Sequence, residues 1–487
     1  MRDDVIRGRL VEANPWWKSA AGAADPAGWA GSDQALRSRA PFDLGYRANV
    51  LDDIAHGPVD DKLVVVRGPR RVGKSVLLKD TIVELCRRDD IDPRQIIYLA
   101  TDTMRAGDLN RVTVLGRDLT RSIDPAPRLW FLDEITSITD WTATLKYLRD
   151  NTLFGDDTVV CTGSSWDHTA EVERDLLAGR AGRGATRRLR LLLPMRFRDV
   201  AALTGRDLVF PAPVPPWDLQ SPAVAAAAAD AELYVEDLDL AWQSYLTSGG
   251  FPRAVAEHHR HGQVGDAFTA DLIAWLHRDV DPDEAADSVA LLLAEVTARS
   301  TSPLNRTDTA HTLGYPNRPT FERRLSRIVA SFGGLWCPQV DDQGARVGGA
   351  QAKLYLTDPI LGWLGHRARA GVPAPDLTQL SENALAVAMA RSIDDIQPGR
   401  WYNQDTIGYL RTGGGHEIDF APVPVPTPAG IEHTTPLESK WVVRGWRGEA
   451  RVIENKFGRG VLATRTIVDT RPPTWALPAP LIAILLG

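Results

Sequence analysis

The chain has 487 residues, 44% apolar and 24% charged, with a formal net charge of −7. That length exceeds one ordinary core and asks for two to four domains, at roughly 100–200 residues each. The composition is that of a soluble globular protein, and the negative balance excludes polyanion binding by bulk charge, leaving that role to a local basic patch.

Residues 1–60 read as an irregular arm, with Trp16 and Trp17 placed to pin it onto the next domain. From 61 to 205, apolar runs alternate with helical text. The runs are Leu63–Arg67, Ile96–Leu99, Leu129–Leu132, Thr158–Thr162 and Arg188–Leu193, and the helices include Lys74–Arg88 and Trp141–Asn151. This alternation predicts a parallel sheet covered on both faces. Residues 206–300 open with a Pro- and Ala-rich connector, Leu208–Ala229, and continue as helices with apolar steps of three and four, as in Leu272, Trp275 and Leu276.

Residues 301–372 read as two short helices, a turn at Gly314-Tyr315-Pro316, a third helix Thr320–Ser331 and then β-type text, the order of a winged helix. Arg318, Arg323, Arg324 and Arg327 on that third helix are candidates for nucleic-acid phosphates or a solvated face. Residues 373–487 read as a second α/β region. It has a helix Ser381–Ser392, strands near Thr406–Leu410, Glu417–Val423 and Leu437–Val443, a helix near Gly448–Phe457 and a strand Gly460–Thr464.

Cys86, Cys161 and Cys337 lack CxxC or zinc-ligand spacing and read as buried thiols. His258-His259-Arg260-His261 reads as a helix end. Met1–Trp17 has no secretory apolar core, and the Pro-interrupted tail Trp475–Leu486 is shorter than the roughly 20 residues of a spanning helix. The expectation is a cytoplasmic protein with no membrane partner.

One stretch carries chemistry on its own spacing. Gly68-Pro69-Arg70-Arg71-Val72-Gly73-Lys74-Ser75 matches G-x-x-x-x-G-K-S between a strand and a helix that continues through Val76. Its glycines let backbone N–H groups wrap a phosphate, and the helix start adds partial positive charge. Lys74 is expected on the β- and γ-phosphates of ATP, and Ser75 on Mg²⁺. Phe131-Leu132-Asp133-Glu134 ends the run that begins at Leu129. Asp133 is expected to hold Mg²⁺ through water, and Glu134 to polarise the attacking water. Ser164, ending a further run, is a candidate γ-phosphate sensor. Arg180, then Arg183, are candidates for an arginine finger, from the same chain or from a second copy.

These pieces resemble the prokaryotic AAA-type ATPases with a C-terminal domain of restriction-endonuclease-like fold. The matching segments are Asn14-Pro-Trp-Trp17, Arg67–Ser75, Phe131–Thr136, Thr162–Ser165, Leu177–Arg180, Leu193–Phe197, Tyr245–Pro252 and Leu354–Pro359, in the family's order and over nearly the whole chain. The resemblance implies an α/β P-loop sheet, a helical and winged-helix region, and a terminal domain similar to the PD-(D/E)xK nucleases. That chemistry needs strand carboxylates holding Mg²⁺ and a lysine at the water. Asp419 in Gly415–Phe420 and Glu438 with Lys440 in Leu437–Trp441 match that pattern, and Glu382 matches an additional helical acid. Glu454-Asn455-Lys456 repeats the spacing in helical text and fits poorly. The expected function is ATP hydrolysis with Mg²⁺, coupled to DNA binding or processing. The alternative is a nucleotide-dependent switch whose terminal domains bind a protein partner without cleavage.

Overall fold

The computed structural model describes residues 1–18, 25, 27–165, 188–205, 208, 210–285 and 287–487. The chain divides into two compact units, Met1–Leu193 and Pro194–Gly487. Arg180 and Arg183 lie outside the described residues.

The first unit is built on a five-stranded parallel sheet. Its strands are β1 (Leu63–Arg67), β2 (Ile96–Ala100), β3 (Leu129–Asp133), β4 (Thr158–Gly163) and β5 (Leu189–Leu191), in the order β2-β3-β4-β1-β5. Val64, Val65, Val66, Phe131, Val159 and Val160 are wholly buried, as strands covered on both faces require. Helices Lys74–Cys86 and Trp141–Asn151 stand where the apolar steps place them. Close approaches demand glycine at several points, Gly116 and Gly68 among them. A Cβ on Gly116 would lie 2.7 Å from the Trp130 ring, and one on Gly68 would lie 1.9 Å from the Leu192 carbonyl oxygen.

β2 is an edge strand, and the N-terminal arm covers it. The Asn14 amide acts as a substitute strand. It donates to the Tyr98 carbonyl at 2.9 Å, and its oxygen accepts from the Tyr98 N–H at 2.6 Å. The Trp16 and Trp17 indoles both donate to the Ile96 carbonyl, at 3.0 and 2.8 Å. Buried Lys79 lies under this arm, 3.6 Å from the Tyr98 ring centroid and 3.3 Å from Asp33 Oδ2. Burial pulls the Lys79 ammonium below the usual lysine range, against the pull of Asp33. The tryptophans thus pin the arm as their position suggests, but the edge is closed by an asparagine.

The second unit opens with helices Phe197–Thr204, Pro222–Ala231, Val235–Ser248, Pro252–His261, Asp266–Val280 and Ser288–Arg299. The alanine run is therefore helical, and the histidine cluster ends a helix. Arg306–Thr312 and Arg318–Ala330 flank the turn at Gly314, whose φ is +72°. Only one short helix stands between residue 302 and that turn. The expected pair is thus a single helix, preceded by Ser288–Arg299 of the helical region before it. An antiparallel hairpin follows, β6 (Gly334–Pro338) with β7 (Ala352–Leu356).

Helices Pro359–Ala368 and Leu377–Ile396 lead to small antiparallel pairs, β8 (Leu410–Arg411) with β9 (Glu417–Ile418) and β10 (Pro424–Thr427) with β11 (Gly430–His433). A parallel trio closes the unit: β12 (Leu437–Ser439), β13 (Gly460–Thr464) and β14 (Thr474–Pro478). β12 is shorter than the expected Leu437–Val443, because the chain leaves the ladder after Ser439. Glu454 and Lys456 lie in the helix Trp446–Phe457, off the sheet. The apolar tail is strand β14 plus the buried helix Ala479–Leu485. Among the described residues, no helix is long and apolar enough to cross a membrane.

Asp358 anchors the turn between β7 and helix Pro359–Ala368. Its carboxylate accepts from the N–H of Gly250 at 2.7 Å and of Ile360 at 3.0 Å. Burial pushes this acid up from 3.8 to about 7, despite those two donors.

Two predictions follow from these contacts. Asn14→Ala leaves the Tyr98 N–H and carbonyl unsatisfied and should destabilise the first unit by about 1–3 kcal/mol. An unchanged urea midpoint would contradict the edge-capping role. For Asp358, the unfolded acid ionises through 3.8 and the folded acid only near 7, so its contribution falls as pH rises across that window and is flat above it. The stability difference between wild type and Asp358→Asn should therefore shrink from pH 4 to 7, in that same window. A difference independent of pH would show that Asp358 does not titrate there.

Candidate active site

The strand order brings the carboxyl ends of β3, β4 and β1 side by side, the edge at which α/β sheets bind ligands. From β1 the chain turns through Gly68–Gly73 into helix Lys74–Cys86. Arg71 and Gly73 take positive φ, +67° and +102°, and so curl the loop. Lys74 is buried, and its ammonium donates to the Gly68 and Pro69 carbonyls at 3.0 and 2.9 Å. Those oxygens are neutral dipoles, weaker partners for an ammonium than a phosphate oxygen. Ser75, exposed, stands in the first turn of the helix, where unpaired N–H groups favour an anion.

Asp133 ends β3 and is buried. The Tyr98 hydroxyl donates to its Oδ2 at 3.0 Å, and the Thr162 hydroxyl to its Oδ1 at 2.5 Å. The Thr162 oxygen in turn accepts from the Glu134 N–H at 2.9 Å. One hydroxyl on β4 thus holds the Asp133 carboxylate and the Glu134 backbone. Burial and the Asp133 charge raise the Tyr98 phenol well above its usual range, so it remains a donor.

Glu134 sits in the left-handed region at φ +59°, a cost tolerated where structure on both sides enforces it. The Ser164 hydroxyl donates to Glu134 Oε1, and the Arg70 guanidinium lies 4.0 Å from the same oxygen. Gly163 leaves room for the turn after Glu134, since a Cβ there would meet Thr136 Cγ2 at 2.2 Å. Gly68, Lys74, Ser75, Asp133, Glu134 and Ser164 are therefore gathered at one sheet edge. Tyr98 and Thr162 were not anticipated from the sequence. Thr162 stood in the Thr-Gly-Ser-Ser text, but only the register of β4 against β3 shows that it reaches Asp133.

The second unit gathers the other candidate acids. Glu382 comes from helix Leu377–Ile396, Asp419 from the residue after β9, Glu438 from β12 and Lys440 from just past it. Lys440 Nζ is 2.9 Å from Glu438 Oε1. Asp419 accepts from the Ser439 N–H at 3.0 Å, and Glu438 accepts from the Asp419 N–H at 3.2 Å. Two residues of β7 enter the cluster unannounced. Lys353 Nζ lies 2.8 Å from Asp419 Oδ1 and 3.4 Å from Glu382 Oε1, and the Tyr355 hydroxyl donates to Glu382 Oε1 at 2.7 Å. The alternation Lys353-Leu354-Tyr355 on a strand was their sequence signal, because it puts both on one face.

The arginines of helix Arg318–Ala330 divide. Arg324 turns inward to Asp281 at 2.7 Å and Glu284 at 3.0 Å, and its guanidinium lies 4.4 Å from the Tyr315 ring centroid. It braces the helix, so it is not available to phosphate. Arg318 pairs with Glu322 at 2.9 Å, and Arg327 donates to the Val280 carbonyl at 3.1 Å. Arg323 is exposed.

Residues 60–201 match the family model described as "AAA domain". This part of the chain is an AAA-type P-loop ATPase domain, and the enzyme it makes is an ATPase. No curated protein matches the chain. Among solved structures, the Walker-type ATPase PABY2304 of Pyrococcus abyssi is 13% identical, over 67% of this chain and 99% of its own, with a TM-score of 0.39. RuvB of Thermotoga maritima is 14% identical, over 62% and 89%, at 0.28. The Orc1 protein of Aeropyrum pernix, in complex with DNA, is 11% identical, over 69% and 90%, at 0.27. At such scores these likenesses carry no weight for function.

The hydroxyl of Thr162 generates a prediction. Thr162→Val removes one hydrogen bond from each of Asp133 and Glu134 and should lower ATP turnover about tenfold or more, the equivalent of about 1.4 kcal/mol. ATP binding, read by a fluorescent analogue, should change less. Wild-type turnover in the variant would show that this hydroxyl has no part in placing Asp133 or Glu134.

Proposed function

We propose that the chain is a Mg²⁺-dependent ATP hydrolase whose nucleotide state is read out by the second unit without cleavage of a nucleic acid. Lys74 exchanges the Gly68 and Pro69 carbonyls for β- and γ-phosphate oxygens, and the backbone N–H groups of Arg70–Val76 cradle the phosphates. Ser75 and Asp133 are the residues that would hold Mg²⁺, which supplies charge neutralisation at the phosphates. Glu134 accepts a proton from the attacking water once Ser164 has turned from it to the γ-phosphate. Arg180 or Arg183 is the proposed arginine at the transferred group, in the same chain or from a second copy.

The observation that carries the hydrolase part of this reading is the meeting of Lys74, Asp133 and the Glu134–Ser164 pair at one sheet edge. Glu134→Gln keeps the side chain's shape and its oxygen toward Ser164 but cannot take a proton. It should bind ATP with little change and lose turnover by about 10²–10⁴-fold. A variant within threefold of wild-type turnover would remove Glu134 from the mechanism.

A second reading has its own support. Helices Arg306–Thr312 and Arg318–Ala330, followed by the β6–β7 hairpin, have the order of a winged helix, with Arg318 and Arg323 exposed. Under it the second unit contacts nucleic-acid phosphates. Binding to duplex DNA would then weaken steeply with salt, and Arg323→Glu would weaken it further. Anisotropy that stays flat with labelled DNA, with and without ATP, would exclude it and leave a protein as the partner.

A further inference from the structure

The terminal acids Glu382, Asp419 and Glu438 match a nuclease pattern whose chemistry depends on a divalent cation held between carboxylates. What the fold puts among them is a lysine. Lys353 projects from β7 and is wholly buried. Its Nζ is 2.8 Å from Asp419 Oδ1 and 3.4 Å from Glu382 Oε1, with the Tyr409 ring centroid 5.6 Å away.

Other oxygens of the cluster are occupied in the same manner. Glu382 Oε1 also accepts from the Tyr355 hydroxyl, Asp419 Oδ2 from the Ser439 N–H, Glu438 Oε1 from Lys440 and Glu438 Oε2 from the Asp419 N–H. Among the described residues, no group of three or more histidine, cysteine, aspartate or glutamate side chains is arranged to hold a metal ion. The donor set therefore does not fit a divalent metal as it stands. A cation on Asp419 Oδ1 would have to displace an ammonium, and a buried ammonium stripped of its carboxylates is an expensive charge.

We infer that Lys353 is the built-in cation of this cluster, standing where a nuclease would hold its metal, so that the acids clasp β7 to helix Leu377–Ile396 and to β12 without binding Mg²⁺ or Mn²⁺. The ionisation of Lys353 agrees with this pairing. Burial alone would lower the Lys353 ammonium, but Asp419 and then Glu382 hold it above the usual lysine range. Burial, with the Asp419 charge, raises Glu382 to about 7 and Glu438 to about 8. The clasp spans segments that the sequence text separates, the hairpin before residue 372 and the α/β region after it. It is also independent of the nucleotide reading, since every residue in it belongs to the second unit.

The test is a Mn²⁺ titration of the full nucleotide-free chain, with free Mn²⁺ followed by electron paramagnetic resonance. Wild type, Asp419→Asn and Glu438→Gln are compared, so that any Mn²⁺ at the nucleotide site cancels. Glu438→Gln leaves both Lys353 ion pairs intact and is the variant expected to fold most readily. The inference expects the three isotherms to coincide. It also expects Lys353→Met to gain a Mn²⁺ site that Lys353→Met/Asp419→Asn lacks. A wild-type Mn²⁺ site that disappears in either single acid variant overturns it. Should Lys353→Met fail to fold, the comparison of wild type with Glu438→Gln still decides. Failure of the ATPase reading would appear in Glu134→Gln turnover and leaves these isotherms untouched.

Discussion

A lysine ammonium taken out of water must be given oxygens or aromatic faces, or it loses its proton. This chain has only eight lysines among 56 basic residues, and it buries four of them: Lys62, Lys74, Lys79 and Lys353. Where arginine is the default cation, a buried lysine marks a place that needs a compact point charge. The partners of each then indicate what the place can do. Lys62 is tied locally to the Pro58 carbonyl at 2.8 Å and Asp60 at 3.0 Å. Lys79 is held by aromatic rings and Asp33 and serves the N-terminal arm. Lys74 leans on carbonyls of its own loop, a bond that a phosphate can replace. Lys353 is bound by two carboxylates, a bond that a metal would have to break.

The sheet makes the first of these contrasts useful. Placing β4 between β3 and β1 sets Thr162 beside Asp133 and Ser164 beside Glu134, while β1 delivers the loop that carries Lys74. Close packing fixes the loop's base, because Gly68 passes too near Leu192 for any side chain. The acids are thus oriented by a neighbouring strand, whereas the lysine is positioned by its own loop. That division suits the proposed mechanism, in which the acids stay in place while the lysine moves onto the nucleotide.

Much of the first unit was legible in the sequence. All five strands were visible as apolar runs, since a parallel sheet buried on both faces leaves uninterrupted Val, Leu and Ile text. Gly68–Ser75 was legible because its chemistry is local, with all four of its required residues inside an eight-residue stretch. Thr162 and Tyr98 were hidden because their roles depend on register between strands that are distant in sequence. Asn14 was hidden for a similar reason, since nothing in its own neighbourhood says that an edge strand needs a donor and an acceptor there. In the second unit the acids were legible through a short pattern. The pattern is silent about Lys353, which reaches them from a hairpin 66 positions before Asp419. The arginine-rich helix misled in part, because helical spacing alone cannot tell that Arg324 meets Asp281 inside the fold.

The most direct measurement is ATP hydrolysis by the purified chain, wild type beside Lys74→Met, with folding of both followed by thermal melting. The account predicts Mg²⁺-dependent turnover in the wild type and its loss in the variant, with similar melting curves. Equal turnover in a folded Lys74→Met protein would contradict it, because the ammonium at the head of the helix would then have no part in the chemistry.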